Sequence, residues 1–337
     1  MPDRPPLRIG VLGAARIAPD ALVKPAREVP GVQVAAVASR EVARAEAFAA
    51  KHHVERVYGD YEALLEDASL DAVYIPLPNG LHGRWTLAAL GRRKHVLCEK
   101  PFTANATEAA GVAAAALGSG RVVMEAFHYR YHPLFRRAVE IVASGELGTV
   151  TDISTAVCFP LPKFSDIRYR YDLAGGAQMD AGCYAVHMAR TLGLAAADGE
   201  PEVVSATARL RTPEVDRAMR AQLRFPAGHT ATVLCSLWSA SLLRLSARVR
   251  GEKGELRLLN PVAPQYGHRL TVRAGGNKRV ERFAKRASYT HQLEAFVAAV
   301  RGEGPVLTPP ADSVANMAVI DGIYRAAGLP VRLPEAG

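Results

Sequence analysis

The stretch Leu7-Arg8-Ile9-Gly10-Val11-Leu12-Gly13-Ala14-Ala15-Arg16-Ile17-Ala18 decides how this chain reads. A short apolar run, Leu7 to Leu12, ends in glycine, and residues 18–29 then carry apolar side chains at helical spacing. A buried strand, a tight turn and a helix therefore follow one another. A dinucleotide-binding turn must bend sharply, let the backbone approach a pyrophosphate, and pack helix on strand closely. Gly13 suits the bend. Ala15 and Ala18 stand where G-x-G-x-x-G has its second and third glycines, and alanine is the smallest replacement. The helix N-terminus offers unpaired N–H groups and a positive dipole end to a phosphate. Gly13, Ala15, Arg16 and Ile17 are thus candidate cofactor-loop residues, with Arg16 as a partner for the pyrophosphate.

The same alternation continues outward. Strands are expected at 32–38, 72–76, 95–99 and 122–125, and helices at 41–51, 82–90 and 104–117. Strands alternating with helices of this length form βαβ units and a parallel sheet. Continuous apolar runs, rather than alternation, fit strands buried on both faces. The tip of the second strand reads Ala38-Ser39-Arg40-Glu41-Val42-Ala43-Arg44. An acid there would bind a free ribose 2′-hydroxyl, and a basic group a 2′-phosphate. Ser39, Arg40 and Arg44 favour NADP over NAD; Glu41 is explained as an early helix residue.

Past residue 130 the pattern changes. A helix is expected at 133–144. Strands follow at 150–158, 203–210, 218–225, 230–239, 242–250, 254–259 and 270–273, then a loop at 275–286. Helices at 289–301 and 311–327 close the chain. Strands this close together form a largely antiparallel meander. The expected fold is α/β + α+β: an N-terminal Rossmann domain, 1–128, and a C-terminal α+β domain, 129–337, on a large open sheet. The helix at 311–327 is expected to pack back on the first domain.

Composition sets limits on function. The 337 residues are 49% hydrophobic and 22% charged, which suits a sizeable core. No run of 18 apolar residues appears, so a membrane helix is not expected. The first residues lack the basic-then-apolar order of a signal peptide. Cys98, Cys158, Cys183 and Cys235 lie far apart with no C-x-x-C, which fits a reducing cytoplasm. No metal set stands out; His52-His53 lacks a spaced carboxylate, and His128 and His132 lack a third ligand. The net charge is +9. Residues 1–130 hold 16 basic and 14 acidic groups, whereas residues 244–286 hold 12 basic and three acidic. The excess is a local strip, read as solvated surface, with an anionic substrate or partner as the alternative. No helix-turn-helix, zinc finger or aromatic-studded basic strand points to nucleic acid.

Cys98-Glu99-Lys100-Pro101 after a strand resembles the E-K-P signature of the glucose–fructose oxidoreductase / inositol 2-dehydrogenase / rhizopine catabolism (Gfo/Idh/MocA) family. Three further segments agree in order. Pro76-Leu77-Pro78-Asn79-Gly80-Leu81-His82 resembles the family's P-N-x-x-H loop. Gly175-Gly176-Ala177-Gln178-Met179-Asp180-Ala181-Gly182-Cys183-Tyr184 is similar to its G-G-x-x-x-D-x-G-x-Y/H segment. Tyr289-Thr290-His291-Gln292-Leu293-Glu294-Ala295-Phe296 resembles its Y-x-x-Q-x-x-x-F helix start. The match spans residues 7–330. Glu125 to Pro133 resembles the branch with dimeric dihydrodiol dehydrogenase, D-xylose dehydrogenase and sugar ketoreductases.

The resemblance implies hydride transfer between NADP and a hydroxyl or ketone carbon of a sugar, polyol or dihydrodiol. Such chemistry needs a group to give or take the hydroxyl proton and a cation near the developing alkoxide. By resemblance, Lys100 is the cation, in a turn fixed by Pro101, where the family's peptide bond is often cis. Tyr184 is the acid/base, with Asp180 four residues earlier on the same helical face. Lys100 is expected to depress the Tyr184 pKa. His187 is a second acid/base candidate, or a relay to Tyr184. Pro78, Asn79, His82, Glu99, Lys100, Arg130 and Tyr289 are expected around the cofactor. Tyr129, Arg130 and His132 line a sugar pocket or form the hinge between domains. The family also implies a homodimer or homotetramer through the C-terminal sheet. A non-catalytic NADP-binding sensor and a biliverdin reductase-like enzyme remain the alternative readings.

Overall fold

The computed structural model describes residues 5–335. The first half is a parallel sheet of β1 (Leu7–Leu12), β2 (Val32–Ala38), β3 (Arg56–Tyr58), β4 (Ala72–Ile75), β5 (His95–Cys98) and β6 (Val123–Glu125), in the order β3-β2-β1-β4-β5-β6. This is the doubly wound order of dinucleotide-binding domains, and its ligand crevice opens where the winding reverses, between β1 and β4. Between the strands run α1 (Lys24–Glu28, preceded by one wide turn at Pro19–Val23), α2 (Val42–His52), α3 (Tyr61–Glu66), α4 (His82–Gly91) and α5 (Ala106–Ser119). Ile9, Val11, Val73, Tyr74 and Leu97 are fully buried, which is why these strands read as continuous apolar runs. Asp60 and Asn105 cap α3 and α5 by accepting from the Ala63 and Glu108 N–H groups.

The second half begins with α6 (Pro133–Ala143). It is built on an eight-stranded sheet of β7 (Val150–Cys158), β8 (Glu202–Thr212), β9 (Val215–Arg224), β10 (Thr230–Ser236), β11 (Arg244–Gly251), β12 (Gly254–Leu259), β13 (Arg269–Ala274) and β14 (Asn277–Glu281). Helix α7 (Cys183–Ala196) packs against β7 and β10. α8 (Ser288–Val300) and α9 (Pro310–Ala326) follow; α9 lies between α5 of the first half and β8 and α7 of the second. Ala106 N–H donates to Asp321 on α9 (3.0 Å), and Arg332 and Asp216, both fully buried, pair at 3.1 Å beyond it.

The sheet is mostly antiparallel, as expected, but two expectations need correction. The sheet is not a plain meander, because its order is β14-β13-β12-β11-β7-β10-β9-β8 and β7 pairs in parallel with β10. The first strand of this half is thus inserted at the centre. The segment expected as a loop at 275–286 contains β14. Gly275 and Gly276, both at positive φ, make a two-residue hairpin that pairs Ala274 with Asn277. Its strand, Asn-Lys-Arg-Val-Glu, lies at the sheet edge and shows no apolar alternation; charged residues are what an edge strand carries. β3 and α3 lie outside the expected elements because a three-residue edge strand and a six-residue helix are too short to show a period.

The basic strip lies on β11 to β14 and just beyond. Arg248, Arg250 and Arg257 gather around Glu255, and Arg279 pairs with Glu146 and Glu281. The register aligns Arg250, Arg248, Arg257 and Arg273 on one face, opposite the buried Ala247, Val249, Leu256 and Val272. No helix among the described residues is long and apolar enough to cross a membrane.

Candidate active site

The loop after β1 turns at Gly13, whose φ of +101° favours glycine and whose N–H donates to Ala38 O at the end of β2 (2.8 Å). A Cβ there would stand 2.9 Å from Leu77, so the turn is also closed to larger residues. The two strand ends that a dinucleotide would straddle are thereby joined. Ala15 N–H donates to Gly13 O (2.8 Å), and the Ile17 carbonyl starts the following helix. Ser39 is buried and its Oγ accepts from Glu41 N–H. Arg40 and Arg44 bear on the Tyr61 hydroxyl, which would be 3.8 Å from a Cβ at Gly13. A basic group and a hydroxyl thus stand beside the turn. Arg16 is largely exposed and reaches Asp166 of the second half (3.5 Å).

Lys100 follows β5, and its peptide bond to Pro101 is cis. Its Nζ donates to the Asp180 backbone oxygen (3.1 Å) and lies 5.2 Å from the centre of the Tyr184 ring. The Glu99 carboxylate accepts from the Tyr74 hydroxyl (2.8 Å) and the Lys100 N–H (3.3 Å). Burial pushes the Glu99 and Asp180 carboxyls up, with Lys100 opposing in both. Residues 178–182 form a wide turn ahead of α7, so Asp180 meets Lys100 with its main chain. Its carboxylate turns instead to Arg168 (3.5 Å) and the Asn79 amide (3.5 Å).

Several expected contacts are taken by the protein itself. Both ring nitrogens of His82 lie against carbonyls, Pro101 O at 2.7 Å and Leu77 O at 2.8 Å. Burial moves its pKa down to about 4. His82 therefore braces the loop after β4, which includes Pro78, against the Lys100 turn, and has no ring nitrogen left for a ribose. Asn79 donates to Ala174 O (3.1 Å). Tyr129 and His132 are fully buried, so neither lines an open pocket. His132 caps α6 by accepting from Leu134 N–H (3.1 Å). Their place is the packed junction, while Arg130 stays partly exposed.

His187 does not reach the Tyr184 hydroxyl. Its Nδ1 meets the Tyr129 hydroxyl (2.5 Å) and its Nε2 meets Asp312 (2.8 Å), which Arg190 holds from the other side (3.0 Å). Phe127 stacks on His187 (4.1 Å) and meets Tyr184 edge-on (5.4 Å). The Tyr184 hydroxyl is bonded instead to His128 Nε2 (3.1 Å), and His128 Nδ1 meets Ser288 Oγ (2.7 Å). Tyr289 packs against the His128 ring, tilted at 32° with the ring centres 3.9 Å apart. His128, Ser288, Arg168 and Asp312 were missed because no spacing links residues so far apart. The expected depression of Tyr184 by Lys100 does not set the net direction. Burial raises this phenol well above its usual value, with Tyr289 and Glu99 adding to the rise. Among the described residues, no group of three His, Cys, Asp or Glu side chains could hold a metal ion.

A dinucleotide turn at the sheet's switch point, with a lysine and a tyrosine converging beside it, defines a class: oxidoreductases on an NAD-binding Rossmann fold. Residues 7–127 match the family model described as "Oxidoreductase family, NAD-binding Rossmann fold", and residues 135–257 the "GFO/IDH/MocA C-terminal domain". The chain belongs to the Gfo/Idh/MocA oxidoreductase family. It is 44% identical over 327 residues to D-xylose 1-dehydrogenase (NADP(+)) 2 of Haloferax volcanii, covering 95% of this chain and 97% of that one. It is 32% identical to trans-1,2-dihydrobenzene-1,2-diol dehydrogenase of Mus musculus over 77% of this chain and 76% of the other. A 3-ketoreductase from Actinomadura kijaniata, solved with NADP and TDP-benzene, superposes with a TM-score of 0.86 at 29% identity, covering 95% of this chain and 98% of that one.

Proposed function

We propose that this protein is an NADP-dependent dehydrogenase or reductase acting on a hydroxyl or ketone carbon of a sugar or sugar-like diol. The observation that carries the reading is the approach of the Lys100 ammonium to within 5.2 Å of the Tyr184 ring centre, beside the crevice between β1 and β4. Gly13, Ala15 and Ile17 would hold the pyrophosphate, and Ser39, Arg40 and Arg44 the 2′-phosphate. The tight turn at Gly13 fits the pyrophosphate, and the absence of an acid at the tip of β2 fits the 2′-phosphate. Bound NADP(H) supplies or takes the hydride. Lys100 stabilises negative charge on the reacting oxygen, and Tyr184 gives or takes its proton. A phenol raised by burial is well suited to hold its proton until an alkoxide forms. The relatives' names support the substrate class: one acts on D-xylose, another on a dihydrodiol. The ketoreductase has also been solved with a tyrosine changed to phenylalanine and, separately, with a lysine changed to alanine, the two residue types proposed here.

We assign residues 1–128 to the cofactor and 129–337 to substrate and assembly, with the outer face of the eight-stranded sheet as the contact between copies, which replaces the solvated reading of its arginines. Four buried free cysteines support a reducing, cytoplasmic setting. The test is a panel of aldoses, inositols, dihydrodiols and nucleotide-sugar ketones, read by NADPH absorbance. Turnover with at least one polyol or keto-sugar is expected; firm NADPH binding without turnover anywhere would overturn the reading in favour of a sensor. Arg40→Ala should weaken NADP use on the order of tenfold and leave NAD use nearly unchanged, since a charge-assisted phosphate contact is lost. Light scattering checks the oligomer.

A further inference from the structure

His128 is buried, yet it serves neither a helix cap nor an ion pair. Its ring bridges two side chains from distant segments, Tyr184 at the start of α7 (3.1 Å) and Ser288 at the start of α8 (2.7 Å). Tyr289 packs on its face. Burial moves its pKa down to about 3, with Lys100 and His132 adding to the effect, so the ring is neutral at working pH. A neutral imidazole carries one N–H, and which nitrogen holds it is set by the partner of the other. If Ser288 donates to Nδ1, the proton sits on Nε2 and points at the Tyr184 oxygen. The phenol then keeps its own hydrogen for the substrate.

We propose that His128, set in this tautomer by Ser288, is a positioning residue that donates a hydrogen bond to the Tyr184 oxygen and stabilises its phenolate form. The inference rests on Tyr184 being the acid/base. When Tyr184 gives its proton to the substrate oxygen, the negative charge left on the phenolate faces His128 Nε2–H and the Lys100 ammonium. Solvent returns the proton after release. In the oxidation direction the same bond helps the phenolate take the hydroxyl proton. Other charged or titratable groups near Tyr184 are Glu99, Cys183, Tyr129 and Tyr289. Of these, Glu99, Cys183, Tyr129 and Tyr289 all raise its pKa, so the imidazole donor works against its surroundings.

The experiment measures kcat/KM for oxidation against pH in the full-length enzyme and in His128→Phe, His128→Gln and Ser288→Ala. Removing a donor to the charged form raises the tyrosine pKa. The rising limb should therefore move up by about one pH unit in His128→Phe, since a hydrogen bond to a charged group is worth about that much. Glutamine keeps an N–H and should restore most of the midpoint; Ser288→Ala should move it partway. NADPH affinity should hold. In a Tyr184→Phe background, His128→Phe should lower kcat no further. An unmoved limb, or an equal loss in that background, overturns the inference. If His128→Phe does not fold, the glutamine and Ser288→Ala profiles decide in the same way. Full turnover by Tyr184→Phe alone would instead remove the parent reading.

Discussion

Two buried tyrosine–imidazole pairs flank Phe127, and they differ in what stands behind the imidazole. In one, His187 joins Tyr129 to Asp312, and Arg190 closes the chain with Glu200 beyond it. In the other, His128 joins Tyr184 to the neutral hydroxyl of Ser288. The first pair is charged at its far end and sealed, since Tyr129 is inaccessible. The second is neutral throughout and ends on a tyrosine that Lys100 overlooks. Charge backed by charge suits a structural brace. A neutral donor beside a lysine suits a phenol that must change its charge.

The comparison can be broken at its strongest point first. Tyr184→Phe should lower kcat by about 10²–10⁴-fold, the usual contribution of a positioned acid or base, with NADPH affinity retained. Tyr129→Phe, the matching change in the other pair, should leave kcat within a few-fold and lower stability by about 1 kcal/mol. Stopped-flow kinetics and denaturant titration separate the two. If Tyr129→Phe were the more damaging to chemistry, the roles assigned here would be reversed.

Asp312→Asn comes next. It leaves Arg190 and His187 without their shared anion, and should destabilise by about 3 kcal/mol, as breaking a largely buried pair does. The pH dependence has a definite sign. Asp312 is held well below the usual carboxylate range, with His187 and Arg190 as its opposing partners. Its contribution is therefore present above the unfolded value near ~4 and is lost as pH falls below it. Burial also holds the His187 pKa down, so the unfolded chain binds that proton first, and stability falls below about pH 6.5. Tm measured between pH 7 and 3 should drop for the native chain, and the portion below ~4 should be smaller in Asp312→Asn.

The smallest effect is expected on the outer face of the large sheet. Arg257→Gln removes one of three arginines around Glu255, half exposed to solvent. A stability change within about 0.5 kcal/mol is expected, since exposed ion pairs contribute little. A loss of the oligomer in this variant, seen by light scattering, would sharpen the assignment of that face as the contact between copies. A depression of about 490 Å³ lies between Arg248, Arg250, Arg257 and Arg273, and none of the Lys100 group lines it.

The amino-acid sequence alone determined most of the first half, β3 and α3 excepted. Its central strands are buried on both faces and α2, α4 and α5 are each ten residues or longer, so apolar runs and a 3.6-residue period could be read directly; β2 falls on its expected bounds. It also pointed to the turn at Gly13, the Lys100-Pro101 segment and Tyr184, because each lies in a local motif. Only the tertiary structure decided the rest. It put β7 between β10 and β11, because strand pairing is a contact between distant segments and leaves no local period. It gave His82, Tyr129, His132 and His187 to bracing and packing rather than to ligands, because burial depends on every neighbour at once. And it brought residues 128, 184 and 288 within hydrogen-bond reach, a conjunction carried by the folded chain and by no spacing along it.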